Sequence, residues 1–371
     1  MTPDHVARPA RNLTATVRSA VVRLFDESGS DLKARLIAIG VVLAGLNIGA
    51  WLWALLAFNG QPVLLGIAVM IYGLGLRHAV DADHIAAIDN VTRKLTQDNK
   101  RPVSVGFFFA LGHSTVVIAV AAAVATAAAT LSGFERLRSV GGALSTGISA
   151  LFLFAIAATN IAIFVSVYRT YRRVRRGEVD REQNFDTLGD KRGLVSRVLR
   201  PLFRLITHSW QMFPLGLLFG LSFDTATEVS MFAISASQAA KGISLGIILI
   251  FPLLFAAGMT LVDTADGVVM LAAYEWAFVK PMRKLYYNMT ITLVSVLVAL
   301  AIAGIEVLSL IGNGFALAGT FWDSVAALSA NFNNLGLLVI ALFLAAWLLS
   351  YLLYRARKRD RAALPATSRT H

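Results

Sequence analysis

Residues 36–58 read L-I-A-I-G-V-V-L-A-G-L-N-I-G-A-W-L-W-A-L-L-A-F and contain no Asp, Glu, Lys or Arg. A helix needs roughly 20 mostly apolar residues to cross the hydrocarbon core of a bilayer, so this stretch is long enough for one crossing. The whole chain has a matching composition, because 57% of its 371 residues are hydrophobic and 15% are charged. Soluble proteins average about 45–50% apolar and about 25% charged residues. The sequence therefore predicts a membrane protein rather than two or three soluble domains.

Eight stretches of the chain are candidates for membrane-spanning helices and together predict an all-α, polytopic membrane helix bundle. They are residues 36–58, 62–90, 103–128, 140–168, 211–238, 243–275, 285–313 and 333–354. The resulting organisation has a basic N-terminal segment, helices 1–4, a basic loop, helices 5–8 and a basic tail, at residues 1–35, 36–168, 169–210, 211–354 and 355–371.

The basic residues predict which side of the membrane each loop faces. Of the 34 Lys and Arg residues, 30 lie in the two terminal segments and in alternate loops, at residues 1–35, 91–102, 169–210, 276–284 and 355–371. Cytoplasmic loops carry such an excess, so we expect both termini on the cytoplasmic side of a bacterial inner membrane. The net charge of +12 then reflects orientation in a lipid bilayer, and we expect no nucleic-acid partner.

The second, third, fifth and sixth predicted spans carry His, Asp, Glu or Arg within them, and such residues are costly inside a bilayer and usually mark a substrate path through the bundle interior. The stretches are R-H-A-V-D-A-D-H-I-A-A-I-D-N at 77–90, F-F-F-A-L-G-H-S-T-V-V at 107–117, L-S-F-D-T-A-T-E-V at 221–229 and G-M-T-L-V-D-T-A-D-G at 258–267. The candidate metal residues in them are His78, Asp83, His84, His113, Asp224, Glu228, Asp263 and Asp266.

These side chains form a ligand set of imidazole and carboxylate without sulfur, since the chain has no cysteine. Imidazole suits nickel, cobalt, zinc and copper, whereas an all-oxygen set suits magnesium or calcium. His78 and His84 lie six residues apart, so a straight helix places them about 120° out of register. Either the second span unwinds near the site, or its two histidines do different jobs. Asp89 is interpreted as a helix-end or interface residue.

At these motifs the chain resembles the NiCoT family of nickel/cobalt transporters, eight-span secondary permeases of bacterial and fungal membranes. R-H-A-V-D-A-D-H-I looks like the family's His-x4-Asp-His signature, and the other three blocks are similar to family motifs in matching spans and order. The resemblance implies a transporter rather than an enzyme, without a cofactor and with Ni²⁺ as its transported substrate. It also implies that the eight candidate residues contribute to metal uptake.

Two further residues bear on selectivity through the same resemblance. Family members differ in whether they accept cobalt, and the difference is linked to the residue after His-Ala in the signature and to a polar residue of the first span. Those residues are Val80 and Asn47 here. The pair resembles the nickel-selective subgroup, the high-affinity nickel permeases that supply hydrogenase and urease maturation.

The same residues are compatible with other functions. A permease for cobalt or zinc, or an exporter, would use the same ligand types, and a haem-binding electron carrier would also place histidines on different helices. An intramembrane metalloenzyme is disfavoured because the chain has no H-E-x-x-H, the motif that places two zinc-binding histidines on one helix face. The chain also has no G-x-x-x-x-G-K-[ST] phosphate-binding loop, so it carries no ATPase of this type and no ATPase subunit is implied.

Overall fold

The computed structural model describes residues 31–126, 146–155, 206–221, 226–278, 281–332 and 334–342, with isolated helical positions between 157 and 172 and at 345. Regular structure within these ranges is helical throughout, as the all-α prediction requires. A short 3-10 turn, Ser209–Gln211, precedes the helix that begins at Met212. In chain order the α-helices are α1 (Leu32–Ala57), α2 (Pro62–His78), α3 (Ala82–Gln97), α4 (Val105–Thr126), α5 (Thr146–Ala155), α6 (Met212–Phe219), α7 (Ala226–Ala240), α8 (Leu245–Ile248), α9 (Ile250–Phe278), α10 (Pro281–Gly314), α11 (Thr320–Ala330) and α12 (Asn334–Leu342).

Several of these helices are long and apolar enough to cross a bilayer. Four qualify singly, namely Leu32–Ala57, Val105–Thr126, Leu245–Tyr274 and Thr292–Gly314. Two pairs, α2 with α3 and α11 with α12, qualify only when taken together, and they bend by 52° and 74°. The described residues thus contain four to six candidate spans, which supports a multi-pass membrane protein. Eight spans and cytoplasmic termini stay predictions, because both termini and much of the predicted span 140–168 lie outside the described residues.

The predicted second span is two helices rather than one. Residues 79–81 separate α2 from α3, and Asp81 has an extended backbone with φ −70° and ψ 145°. Its side-chain oxygen accepts a hydrogen bond from the N–H of Ala82 at 3.0 Å, so Asp81 is the N-cap that starts α3. The predicted fifth span is likewise divided into α6 and α7.

Helix α3 is polar in sequence and yet buried in the bundle. Every residue from His84 to Thr96 is buried, although this segment includes Asp89, Arg93 and Lys94. Buried polar groups are stable only when hydrogen-bonded or paired. This helix therefore needs polar partners on the helices that surround it, which are α4, α9 and α10.

Helix α9 lies at the centre of the described bundle and packs against α2, α3 and α4. Two glycines allow its backbone to approach the neighbouring helices closely. A Cβ on Gly258 would lie 2.8 Å from the carbonyl oxygen of Tyr72 in α2, and a Cβ on Gly106 in α4 would lie 3.0 Å from the amide nitrogen of Thr264. Both separations are shorter than ordinary van der Waals contact, so larger residues at these glycines would push the helices apart.

Candidate metal site

Three histidines from three helices meet in the interior of the bundle. His78 is the last residue of α2, His84 lies in the first turn of α3, and His113 lies midway along α4. The three ring centroids are 4.8 to 4.9 Å apart in every pair. One ligand nitrogen from each ring lies within 4.8 Å of the other two. Each residue is only 1% exposed, so the group, here called the histidine triad, is suited to holding one metal ion away from water.

The interruption between α2 and α3 brings His78 and His84 together. A continuous helix would place two residues six positions apart about 120° out of register. The 52° bend turns α3 so that the His84 ring packs against the His78 ring at an interplanar angle of 73°. Of the two explanations that the sequence left open, the unwound second span is the one observed.

Glu228 adds a negative charge to the triad from the first turn of α7. Its Oε1 atom lies 2.9 Å from Nε2 of His113 and 3.8 Å from Nε2 of His78. The two imidazole nitrogens are themselves 3.1 Å apart. The Glu228 residue is fully buried, and an isolated buried carboxylate is costly unless it is paired with a hydrogen-bond donor or a cation. Three potential ligand atoms therefore converge on one small region.

The remaining ring nitrogens of His78 and His84 contact polar groups outside the triad. Nδ1 of His84 lies 3.3 and 3.4 Å from the two carboxylate oxygens of Asp263 in α9. Nδ1 of His78 lies 3.1 Å from the hydroxyl of Thr227 in α7. Metal-binding histidines usually make such a contact with the nitrogen that does not bind the metal, which fixes the ring and the tautomer. This arrangement would make Nε2 the metal-binding nitrogen of both rings.

The described hydrogen bonds of two other predicted acidic residues do not involve the triad side chains, and a third acidic residue lies outside the described part of the chain. Asp83 is half-buried, and its Oδ1 atom accepts a hydrogen bond from the N–H of His84 at 2.8 Å. Asp266 lies one turn beyond Asp263, and its Oδ2 atom is buried without a hydrogen-bond partner among the described residues. Asp224 lies outside the described residues.

The described contacts of the two predicted selectivity residues are made with residues outside the triad. Asn47 in α1 donates a hydrogen bond to the carbonyl of Leu43 and accepts one from the Tyr72 hydroxyl in α2, both at 2.9 Å. Val80 lies within the interruption between α2 and α3, and a Cβ on Gly336 would overlap its carbonyl oxygen. These contacts join Asn47 to its own helix and to α2, and they join Val80 to α12.

Three residues that contact the triad were not predicted as site residues. Thr227 was one, although it immediately precedes Glu228 in the F-D-T-A-T-E motif. Phe109 and Phe255 pack against the rings of His84 and His78 with centroid distances of 4.8 and 5.3 Å. Phe109 lies four residues before His113 on α4, a spacing that puts both on one helix face. No signal in the sequence identifies Phe255 as a neighbour of the triad.

The chain is similar to proteins of a known family. A family model described as high-affinity nickel-transport protein, NicO, matches residues 64–353. The chain belongs to this nickel-transport family. The resemblance to nickel/cobalt transporters is therefore confirmed, and the family is one of transport proteins rather than enzymes. No solved structure gives a significant match to this chain.

Named relatives of this NicO family member come from several bacteria. A high-affinity nickel transport protein of Cupriavidus necator is 54% identical, and the match covers 88% of this chain and 94% of that protein. A hydrogenase nickel incorporation protein, HupN, of Bradyrhizobium diazoefficiens is 52% identical over 85% of this chain and 84% of the relative. A cobalt transport protein, NhlF, of Rhodococcus rhodochrous is 39% identical over 83% of this chain and 88% of its own length.

Proposed function

We propose that this protein is a secondary transporter that imports Ni²⁺ across the bacterial inner membrane for the maturation of nickel enzymes. The observation that carries the proposal is the buried histidine triad within a member of a nickel-transport family. The names of two relatives, a nickel transport protein and a hydrogenase nickel incorporation protein, support the substrate and its use. The cation is cargo and not a resident cofactor.

The proposed ligands are the three triad nitrogens and the Glu228 carboxylate. Imidazole nitrogen is a good ligand for divalent nickel, and Glu228 lies within 4 Å of two of the rings. The carboxylates of Glu228 and Asp263 together carry two negative charges when ionised, which matches the charge of one Ni²⁺ ion. Burial of that ion is therefore compensated by the site itself.

The interruption between α2 and α3 gives the site the form expected of a secondary transporter. Such proteins bind substrates where a membrane helix is discontinuous, because the freed helix ends carry partial charges. His78 ends α2, and the C-terminal end of a helix is its negative pole, which attracts a cation. Asp83 would hold the first turn of α3 in place through its hydrogen bond to the His84 backbone.

The remaining carboxylates have a proposed role in attracting the cation and in coupling. Asp224 and Asp266 would contact the ion on its way to or from the triad, or carry protons in exchange for it. A carboxylate that releases Ni²⁺ can take up a proton in its place, and this exchange would couple transport to the proton gradient. The coupling hypothesis requires that Asp266→Asn alter the pH dependence of uptake, and it would be abandoned if that dependence stayed unchanged.

The test of the proposed function is uptake of radioactive nickel by cells that express the full chain. The comparison uses His78→Ala, His113→Ala and, as a matched control, His208→Ala, since His208 is exposed and lies outside the triad. We expect accumulation in the parent and control cells and its loss in the two triad variants at equal protein abundance. Equal accumulation in all four, or net loss of nickel from cells that express the chain, would contradict the import proposal.

Cobalt is the second candidate substrate, because one relative carries the name cobalt transport protein. Imidazole and carboxylate ligands accept both ions, so the triad alone does not separate them. Measurement of nickel uptake in the presence of excess cobalt distinguishes the two substrates. Nickel accumulation that cobalt barely inhibits supports the proposed role of Val80 and Asn47, whereas equal competition would assign the protein to the broader nickel/cobalt group.

A further inference from the structure

A second buried polar cluster lies beyond the triad, where α3 contacts α9 and α10. Asp89 is fully buried, and both of its carboxylate oxygens accept hydrogen bonds. Oδ1 accepts from the Tyr274 hydroxyl of α9, and Oδ2 accepts from the Ser295 hydroxyl of α10 at 3.0 Å. One carboxylate therefore joins three helices in the interior of the bundle.

Arg93 places a positive charge in the same cluster. It is 1% exposed, and its Nη2 atom donates to Oδ1 of Asn90 at 3.1 Å, an oxygen that also accepts from Asn160 at 2.6 Å. Its charge and that of Asp89 attract each other. The Nε and Nη1 atoms of Arg93 have no hydrogen-bond acceptor among the described residues. The Arg93 guanidinium is thus buried with only part of its hydrogen-bonding capacity used, which is costly.

Acidic residues connect the triad to this cluster. Asp89 lies five residues after His84 on α3, a rise of about 7.5 Å along the helix axis. On α9, Asp266 follows Asp263 by one turn and is close enough to both Asp263 and Asp89 for their charges to interact. A cation that leaves the triad toward the C-terminal ends of α3 and α9 therefore passes Asp266 and next meets Asp89 with its bound partners.

We propose that Asp89, Arg93, Tyr274 and Ser295 form the gate that closes this end of the metal path, an inference that rests on the proposed transport function. In the closed state the hydrogen bonds of Asp89 hold α3, α9 and α10 together. The Arg93 charge stands beyond them and repels a divalent cation, an interaction that is strong where water is excluded. Opening requires Tyr274 and Ser295 to leave Asp89, which separates the three helices.

The composition of the cluster favours a gate over a purely structural brace. A permanent brace gains stability from complete hydrogen bonding, whereas a partly satisfied polar network is less stable than an apolar core of the same shape. The Arg93 donors that find no acceptor among the described residues reduce the free-energy difference between the closed and open states. A gate needs such a small difference, because it must open in every transport cycle.

The chain has no cysteine, so a single introduced thiol reports on access to the space behind the gate. Ala86 is fully buried and lies on α3 between His84 of the triad and Asp89 of the gate, three residues before Asp89. In the full chain bearing Ala86→Cys, the rate of labelling by a membrane-impermeant methanethiosulfonate is measured in right-side-out and in inverted vesicles. The test variant adds Tyr274→Phe and Ser295→Ala, which remove both hydrogen bonds to Asp89.

The matched control adds Ser149→Ala to the same cysteine chain. Ser149 donates a buried hydrogen bond of 2.8 Å to Glu306 of α10, so its loss is chemically equivalent to that of the Ser295 bond but lies in another contact. Tyr274→Phe alone is made as well, because it removes a single hydroxyl and preserves packing if the double replacement does not fold.

We expect labelling from one side of the membrane to accelerate at least about tenfold in the chain with Tyr274→Phe and Ser295→Ala. Each hydrogen bond to a charged group stabilises the closed state by roughly a factor of ten, and this chain has lost both bonds to Asp89. The Ser149→Ala chain keeps the slow parental rate. Equal labelling rates in the gate and control variants would overturn the proposal. Nickel binding, measured on the same purified proteins, tests the transport proposal separately, because labelling needs no metal.

Discussion

The close contact between α4 and α9 leads to a prediction about Gly106. An alanine Cβ at this position would lie 3.0 Å from the Thr264 nitrogen and closer still to the Asp263 carbonyl. These are rigid backbone atoms, and carbon contacts are optimal at about 3.5–4.0 Å, so α4 and α9 must separate by something on the order of 1 Å. Helix α4 carries His113 of the triad, which contacts His78, and α9 carries Asp263, which contacts His84.

The variant Gly45→Ala is the control for the loss of stability expected in Gly106→Ala. A Cβ on Gly45, in the middle of α1, meets no atom within 4 Å. Gly106 is the second residue of α4, so its replacement gains no more helix propensity than that of the interior Gly45, which gains about 1 kcal/mol. Any loss of stability in Gly106→Ala relative to Gly45→Ala beyond that gain is the cost of overpacking, about 1–3 kcal/mol. The separation also moves Asp263 away from His84, and the loss of such an outer contact weakens metal binding by about tenfold to a hundredfold.

The assay compares thermal unfolding and nickel affinity of the two purified proteins in detergent. We expect Gly106→Ala to unfold at a lower temperature than the parent and to bind nickel more weakly, while Gly45→Ala matches or exceeds the parent in stability and keeps its affinity. If both variants have the same stability and the same nickel affinity, the close approach of α4 and α9 does not determine the geometry of the triad.

Three further substitutions test single contacts of the site. Thr227→Val removes the hydroxyl at Nδ1 of His78 while preserving shape, and we expect nickel affinity in a binding titration to fall by about tenfold; unchanged affinity would remove Thr227 from the site. Asp263→Asn deletes the charge beside His84 and should weaken nickel binding by about tenfold to a hundredfold, whereas an equal or tighter dissociation constant would contradict the charge-compensation argument. Val80→Phe enlarges a side chain in the interruption between α2 and α3, and we expect it to make nickel uptake more sensitive to inhibition by cobalt. An unaltered cobalt inhibition curve would exclude Val80 as a selectivity residue.

Much of the architecture follows from local features of the sequence. Apolar length alone predicts helices such as α1, because an apolar stretch in a bilayer must satisfy its backbone hydrogen bonds internally. The three triad histidines could be selected as candidate site residues from the sequence, because ionisable residues are costly inside apolar spans and usually have a function there. The number of crossings was harder to predict, because apolar length does not reveal whether one span is two bent helices, as with α2 and α3.

The contacts between distant segments could not be predicted from the sequence. Thr227 reaches His78 across 149 positions of the chain, and Tyr274 reaches Asp89 across 185. Such pairs depend on how helices rotate and cross, and helical periodicity within one segment carries no information about that. Asp89 could be interpreted as an interface residue, but that its interface lies at the centre of three helices follows only from the fold.

The central claim is that the histidine triad binds the transported nickel. X-ray absorption spectroscopy of the nickel-loaded, purified protein tests it most directly, because scattering from imidazole rings reports the number of histidine ligands. We expect three imidazole ligands in the parent protein and two in each of His78→Ala, His84→Ala and His113→Ala, with three retained in His208→Ala. A nickel ion coordinated by oxygen alone, with a spectrum that the triad substitutions leave unchanged, would contradict the account.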